Sequence, residues 1–210
     1  MAQYTITYFP VRARSQSVRF LLADQGCEWK EDVVPIEPWY QGKDDRKKSM
    51  AFGQLPMFTD GDFRLFQSNA ILRYLARKHY LYGKNDKEAA LIDMVNDGAE
   101  DLRIKFFRFF FQEWDTGKEK YMEEMPDLLS PFERILSKNS SGFLVGSTIS
   151  FADYSLLDVL YNHVAVAPDC LKSFPLLQAY YDMMVSRPKL KVYLESEDHK
   201  NCPMHPARTL

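Results

Sequence analysis

Three residue classes that define common protein types are scarce in this chain. Cysteine occurs three times, as Cys27, Cys170 and Cys202, far apart and odd in number, with no CxxC pair. That excludes a disulfide framework and a zinc knuckle. A basic excess is missing: 27 Lys and Arg face 29 Asp and Glu, for a net charge of −2. A nucleic-acid binder carries positive charge to neutralise phosphates, so no nucleic-acid partner is expected. No apolar run approaches about 18 residues, so no membrane span is expected. The start MAQYTITYFP has no basic region followed by an apolar stretch and cleavage site. No signal peptide is therefore read, and the expected compartment is the reducing cytoplasm. Phosphate-binding glycine loops, HExxH and GxSxG are absent too. The four histidines, His79, His163, His199 and His205, are scattered, so no metal site is predicted.

What is present reads as globular: 46% of residues are hydrophobic and 14% aromatic. The charge is unevenly spread, with 12 basic and 9 acidic side chains over residues 1–80, and 15 and 20 over the rest. Residues 1–80 read as mixed α/β. Tyr4-Thr5-Ile6-Thr7-Tyr8 alternates as a strand ended by Pro10. Val18, Leu21, Leu22 and Ala23 mark a helix from Ser15, a candidate N-cap, to Gly26, a stop. Glu28 to Val34 reads as a second strand, and residues 41–52 as a charged connection with room for a short helix. Asp60-Gly61-Asp62 joins two strands as a hairpin, and Ser68 opens a helix ending near His79. Turn formers over residues 81–86 mark a linker. Residues 87–210 read as all-helical, with helices over 87–115, 119–138, 150–166, 174–186 and a short piece from Lys189. Ser150 and Asp153 form a capping box, which carries folding information and no chemistry.

Polar residues collect at segment ends in the first 80 residues, where sites form. Tyr8 closes the first strand and Arg14 follows it. Trp39 and Lys47 flank the charged connection. Gln54-Leu55-Pro56 precedes the hairpin, and Gln67-Ser68 begins a helix. A helix start at Ser68 offers N–H groups and a positive dipole end to an anion. The Leu55–Pro56 bond is a candidate cis peptide, and Leu55 beside it suits pairing with an extended backbone. Together these fit a small anionic ligand of peptide character. Taken singly, Tyr8 reads as a core strand residue, and Arg46-Lys47-Lys48 as a solvated face. The stretch from Phe106 to Phe111 reads mainly as packing.

Five segments sharpen this: YFPVRARSQSVRFLLADQG, GQLPMFTDGDFRLFQSNAILRYL, LIDMVNDGAEDLR, ISFADYSLLDVL and FPLLQAYYDMMVSRPKL. In register from Tyr4 to about Leu194, they resemble cytosolic glutathione transferases of the pi class. The resemblance implies a thioredoxin-like α/β domain followed by an all-α domain, and conjugation of reduced glutathione, a co-substrate rather than a bound cofactor, to hydrophobic electrophiles. It implies that the Tyr8 hydroxyl hydrogen-bonds the glutathione sulfur. Arg14, Trp39, Lys47, Gln54, Leu55, Gln67 and Ser68 match glutathione-binding positions. A homodimer is implied, with Asp101 reaching the neighbouring subunit's glutathione and Phe52 acting as an aromatic key. Phe9, Val11, Ile36, Phe107 and Phe111 are the candidates for the electrophile wall. The chain departs from the pattern in three places. Residues 40–51 run about two longer, which leaves Lys43 and Lys48 as alternatives to Lys47. Phe111 stands where a tyrosine is common, and Met50 where a reactive cysteine is common. A non-catalytic binder on the same scaffold is the competing reading.

Overall fold

The computed structural model describes residues 4–204, so His205 lies outside the described part. The chain forms two compact units: one comprises the chain up to Leu75 with the tail from Arg187, the other Ala76–Ser186.

In the first unit, β1 (Tyr4–Tyr8) alternates as expected and is the inner strand of a four-stranded sheet of order β2-β1-β3-β4. It pairs in parallel with β2 (Trp29–Val33) and antiparallel with β3 (Met57–Asp60). The predicted hairpin joins β3 to β4 (Phe63–Phe66) around Gly61, whose φ of 58° only glycine adopts at little cost. The parallel step from β1 to β2 requires a crossover, supplied by α1 (Gln16–Gln25). Gly26 ends α1 in the left-handed conformation, φ 71°, its N–H bonded to the Ala23 carbonyl.

Ser15 does not cap α1 with its side chain. A 3-10 turn, Ala13–Ser15, precedes the helix instead, and Ser15 is already in helical backbone geometry with its Oγ buried. An N-cap side chain reaches the helix N–H groups only from an extended backbone, so the serine cannot serve.

Two short helices, α2 (Ile36–Tyr40) and α3 (Arg46–Ser49), carry the charged connection, followed across the hairpin by α4 (Ser68–Lys78). The tail from Arg187 forms α9 (Pro188–Glu195) and α10 (Glu197–Lys200), which belong to this first unit. Arg187 Nε donates to Asp24 Oδ2 at 2.8 Å, Tyr193 packs edge-on to Phe20 and Trp29, and the Arg12 N–H donates to the Pro203 carbonyl.

The second unit is helical. α5 (Asp86–Gln112) starts on Asn85, whose side chain accepts from the N–H groups of Lys87 and Glu88. Its buried residues Ile92, Val95, Ala99, Leu102, Phe106 and Phe109 recur at three and four, the spacing of one helix face. α6 (Trp114–Ser137), α7 (Phe151–Val166) and α8 (Pro175–Val185) complete it. Twelve of the sixteen residues of α7 are buried, so this helix is the centre of the unit. The expected gap at 116–118 is not there: the break lies at Glu113, φ −119°, and Gly117 sits inside α6. A Cβ at Gly117 would lie 3.1 Å from Glu113 Cβ, so this glycine permits a close turn rather than ending a helix. The Ser150–Asp153 box forms: the Ser150 N–H donates to Asp153 Oδ2 at 2.7 Å, and Ser150 Oγ donates to the same oxygen. Leu81, in the expected linker, is buried, and its carbonyl accepts from the Phe151 N–H.

Candidate active site

The site grows from the C-terminal end of β1. Tyr8, in register with Val33 of β2, is buried there, and the Phe9 ring centroid lies 5.4 Å from its own. Its hydroxyl oxygen accepts a hydrogen bond from the Arg14 N–H at 3.3 Å. Burial pushes the phenol up to about 12, against the opposing pull of that N–H and of the Arg19 and Arg14 guanidiniums. At neutral pH the hydroxyl therefore keeps its proton and is a donor.

The loop from Phe9 to Arg14 is held by Arg19. This buried guanidinium makes two bonds of 2.9 Å to the Glu31 carboxylate and donates to the carbonyls of Val11 and Arg12. A paired, nearly sealed arginine fixes the loop that carries Arg14.

Opposite edges of the site come from the connection and the hairpin. Trp39 is buried with Val34 and Met50, and Phe9, Leu55, Met57 and Phe66 pack against this cluster. Lys47 is half-buried with its Nζ 5.6 Å from the centre of the Trp39 ring. Lys48 instead reaches Asp45 at 2.7 Å in solvent, and Lys43 is exposed. Leu55–Pro56 is cis, and Leu55 precedes the β3 ladder. Gln67 has φ 70°, an uncommon conformation for a residue with a Cβ, and its carbonyl accepts from the Ile71 N–H to start α4. Ser68 is thus buried at the first position of that helix, where the leading N–H groups have no intrahelical acceptor. The side-chain amides of Gln54 and Gln67 approach to 3.5 Å.

Tyr8, Arg14, Trp39, Lys47, Gln54, Leu55, Gln67 and Ser68 thus all belong to one unit, a protonated phenol accompanied by cationic and amide donors. That is a donor set that suits a small anionic ligand. Among the described residues no group of three histidines, cysteines or carboxylates is placed to hold a metal.

Residues 4–77 match the family profile "Glutathione S-transferase, N-terminal domain", and residues 100–197 the corresponding "C-terminal domain". Glutathione S-transferase P 1 of Bufo bufo is 54% identical over 97% of both chains, and that of Xenopus laevis 55% over 98% of both. Glutathione S-transferase P of Homo sapiens is 52% identical over 98% of both. The solved pi-class glutathione S-transferase of Onchocerca volvulus superposes with a TM-score of 0.90, at 37% identity over 97% of both chains.

The chain belongs to the glutathione S-transferase family, in its pi class.

The transferase thus uses reduced glutathione as co-substrate. Its fold is the expected thioredoxin-like α/β unit with an all-helical one. Of the other predicted residues, Val11 is buried while Phe9 and Ile36 are half-buried, all in the first unit. Phe52 is exposed, 66%, in the same unit. Asp101 is exposed on α5 of the second unit. There too Phe107 and Phe111 meet edge-on at 5.3 Å, Phe111 partly exposed. Pro56, Ser150 and Asp153 are buried in structural roles. The sequence reading did not single out Arg19, although an arginine among the consecutive apolar positions of a buried helix is itself a sign of a fixed ion pair. Among the described residues no helix is long and apolar enough to cross a membrane.

Proposed function

We propose that Tyr8 donates its hydroxyl proton in a hydrogen bond to the sulfur of glutathione and so holds it as the thiolate. A free thiol titrates near ~8.5, so only a few per cent is ionised at neutral pH. A donor aimed at S⁻ favours the charged form, and each unit by which the thiol is lowered corresponds to about 1.4 kcal/mol. The observation carrying this reading is the Tyr8 hydroxyl itself. It is protonated at neutral pH, and its oxygen accepts the Arg14 N–H, which strengthens it as a donor. The thiolate then attacks an electrophilic carbon. A C–S bond forms, and either a leaving group departs with its electron pair or an adjacent multiple bond takes the pair and then a proton.

Ser68 at the start of α4 and Gln67 take one end of the peptide, Leu55 pairs with its backbone, and Arg14, Trp39, Lys47 and Gln54 take the other polar groups. The electrophiles are hydrophobic, and Phe9, Val11, Ile36, Phe107 and Phe111 are the residues that select among them. The working unit is a homodimer in the cytoplasm. Phe52, a large apolar side chain left two-thirds exposed, is the surface feature that a second copy would cover, and Asp101 serves the neighbouring subunit's glutathione.

The test is Tyr8→Phe, assayed by conjugation of glutathione to a chlorinated nitrobenzene. Loss of a donor to a developing or full anion lowers kcat roughly 100-fold, with the KM for glutathione changed by less than about threefold. Unchanged turnover would remove Tyr8 from the mechanism.

A further inference from the structure

Ala13 is buried with φ 31°, on the left-handed side of the backbone map, where a Cβ crowds the following carbonyl and glycine is the ordinary occupant. The peptide unit that follows it carries the Arg14 N–H that meets the Tyr8 hydroxyl at 3.3 Å. Strain of this kind persists only where the surroundings over-determine the backbone. Here they do so from two directions, both acting on the two residues before Ala13. From α1, Arg19 Nη1 donates to the carbonyls of Val11 and Arg12 at 3.0 and 3.3 Å. From the C-terminal tail, the Pro203 carbonyl accepts the Arg12 N–H at 2.9 Å, and the His199 carbonyl accepts from Arg12 Nη2 at 3.1 Å. His199 is itself anchored: its Nδ1 accepts from the Gln16 side-chain amide at 3.2 Å, and its ring centre lies 6.1 Å from that of Phe20.

We propose that Arg12 is a positioning residue for the conjugation reaction: by clamping its loop to the C-terminal tail it holds Ala13 left-handed and keeps the Arg14 N–H on the Tyr8 hydroxyl. This rests on the reading that Tyr8 is the donor to the glutathione sulfur. An N–H donating to the phenol oxygen polarises the O–H bond and makes it a stronger donor to S⁻. A peptide unit that turns away withdraws that help. The tail, 187 residues distant in the chain, thereby supports the reacting end of the site. Without the clamp, a residue carrying a Cβ relaxes toward negative φ and turns the Ala13–Arg14 peptide with it. A glycine in its place would stay, since positive φ costs glycine little. That difference separates a positioning role from a general loosening of the fold.

The readout is the pKa of the bound glutathione thiol, measured on the full-length enzyme. It is taken from the ultraviolet absorbance of the thiolate and from the pH profile of kcat/KM with a chlorinated nitrobenzene. Arg12→Met keeps the aliphatic stem and loses the bond to the His199 carbonyl. It is expected to raise the bound thiol by roughly 0.5–1 pH unit, the worth of one hydrogen bond, and to lower kcat/KM roughly three- to tenfold below that pH. Ala13→Gly alone is expected to stay within about twofold of the parent enzyme, because glycine holds the same backbone without strain. Adding Ala13→Gly to Arg12→Met is expected to restore most of the lost rate. His199→Ala frees the tail from Gln16 and Phe20 with Arg12 intact; it is expected to move the thiol in the same direction, and it decides the matter if Arg12→Met does not fold. A bound thiol that stays put in the folded variant overturns the proposal, and so does a double variant no better than Arg12→Met. The Tyr8 reading fails separately: Tyr8→Phe would then leave the bound thiol unmoved, whereas failure of the clamp alone leaves it raised in Tyr8→Phe and normal in Arg12→Met.

Discussion

Tyr121 and His163 are bonded to each other inside the helical unit, the phenol oxygen 2.8 Å from Nε2 of the imidazole. Nδ1 of the same ring lies 2.7 Å from the Val159 carbonyl. A carbonyl only accepts, so Nδ1 carries the proton and Nε2 accepts from Tyr121. Both ring nitrogens are satisfied in the neutral form. A second proton would turn the Tyr121 hydroxyl from donor to acceptor, and burial pushes the imidazole down to about 4.

The sign of the resulting pH dependence follows. The unfolded chain binds this proton below about 6.5, whereas the folded chain resists until about 4. Between those values the unfolded state holds more protons, so His163 costs stability as the pH falls. The slope reaches about 1.4 kcal/mol per pH unit, and the whole loss about 3 kcal/mol. Urea unfolding at pH 7 and pH 5 checks it. His163→Gln is expected to be less stable at pH 7 but to lose less on acidification. Equal pH slopes in the two proteins would assign the acid sensitivity elsewhere.

The start of α7 offers a comparison within one box. Asp153 accepts from the N–H and hydroxyl of Ser150 and, at 3.1 Å, from the Leu144 N–H. All these groups are buried, and an orphaned buried donor costs about 1–3 kcal/mol. Asp153→Ala is therefore expected to cost about 3 kcal/mol or more in urea unfolding. Ser150→Ala removes the hydroxyl but leaves both backbone donors paired, at about 1 kcal/mol. The reverse order would mean that the serine, not the carboxylate, holds the loop to the helix.

Lys47 and Lys48 are adjacent and differently placed. Lys47 lies over the Trp39 ring, while Lys48 pairs with Asp45 in solvent. Lys47→Ala is expected to raise the KM for glutathione roughly tenfold, the effect of a lost charge-assisted hydrogen bond. Lys48→Ala should stay within about twofold, since exposed pairs contribute little. Steady-state kinetics with varied glutathione distinguishes them, and a larger effect at Lys48 would move the contact by one residue.

Much of this molecule is legible in the chain because its signals are local. Asp60-Gly61-Asp62 marks the hairpin, Gly26 the end of α1, and the Ser150–Asp153 spacing the start of α7. Each depends on residues within a turn of one another. The helix break at Glu113 has no such signature, since aromatic periodicity runs through it from Phe106 to Trp114. Ser15 misleads because the 3-10 turn before it, set by the Arg19-braced loop, changes its backbone. At the site, the polar residues at segment ends could be picked out and grouped as candidates, but their distances and burial could not. The resemblance matches Lys47 and leaves Lys43 and Lys48 as alternatives, and the different placement of Lys47 and Lys48 shows only in the structure.

The tail from Arg187 belongs with the sheet rather than with the helices that precede it in the chain. On a ribosome, β1, α1 and the hairpin therefore emerge long before their last structural partner. Until α9 and α10 are synthesised, Asp24 lacks Arg187, Trp29 lacks Tyr193, and Gln16 lacks the His199 ring that lies 3.2 Å from its amide. Domains commonly fold in the order they are made. Here the unit that carries the proposed glutathione site is begun first and completed last, so a nascent chain that stalls before residue 187 holds the candidate side chains of that site but not the clasp that closes its unit.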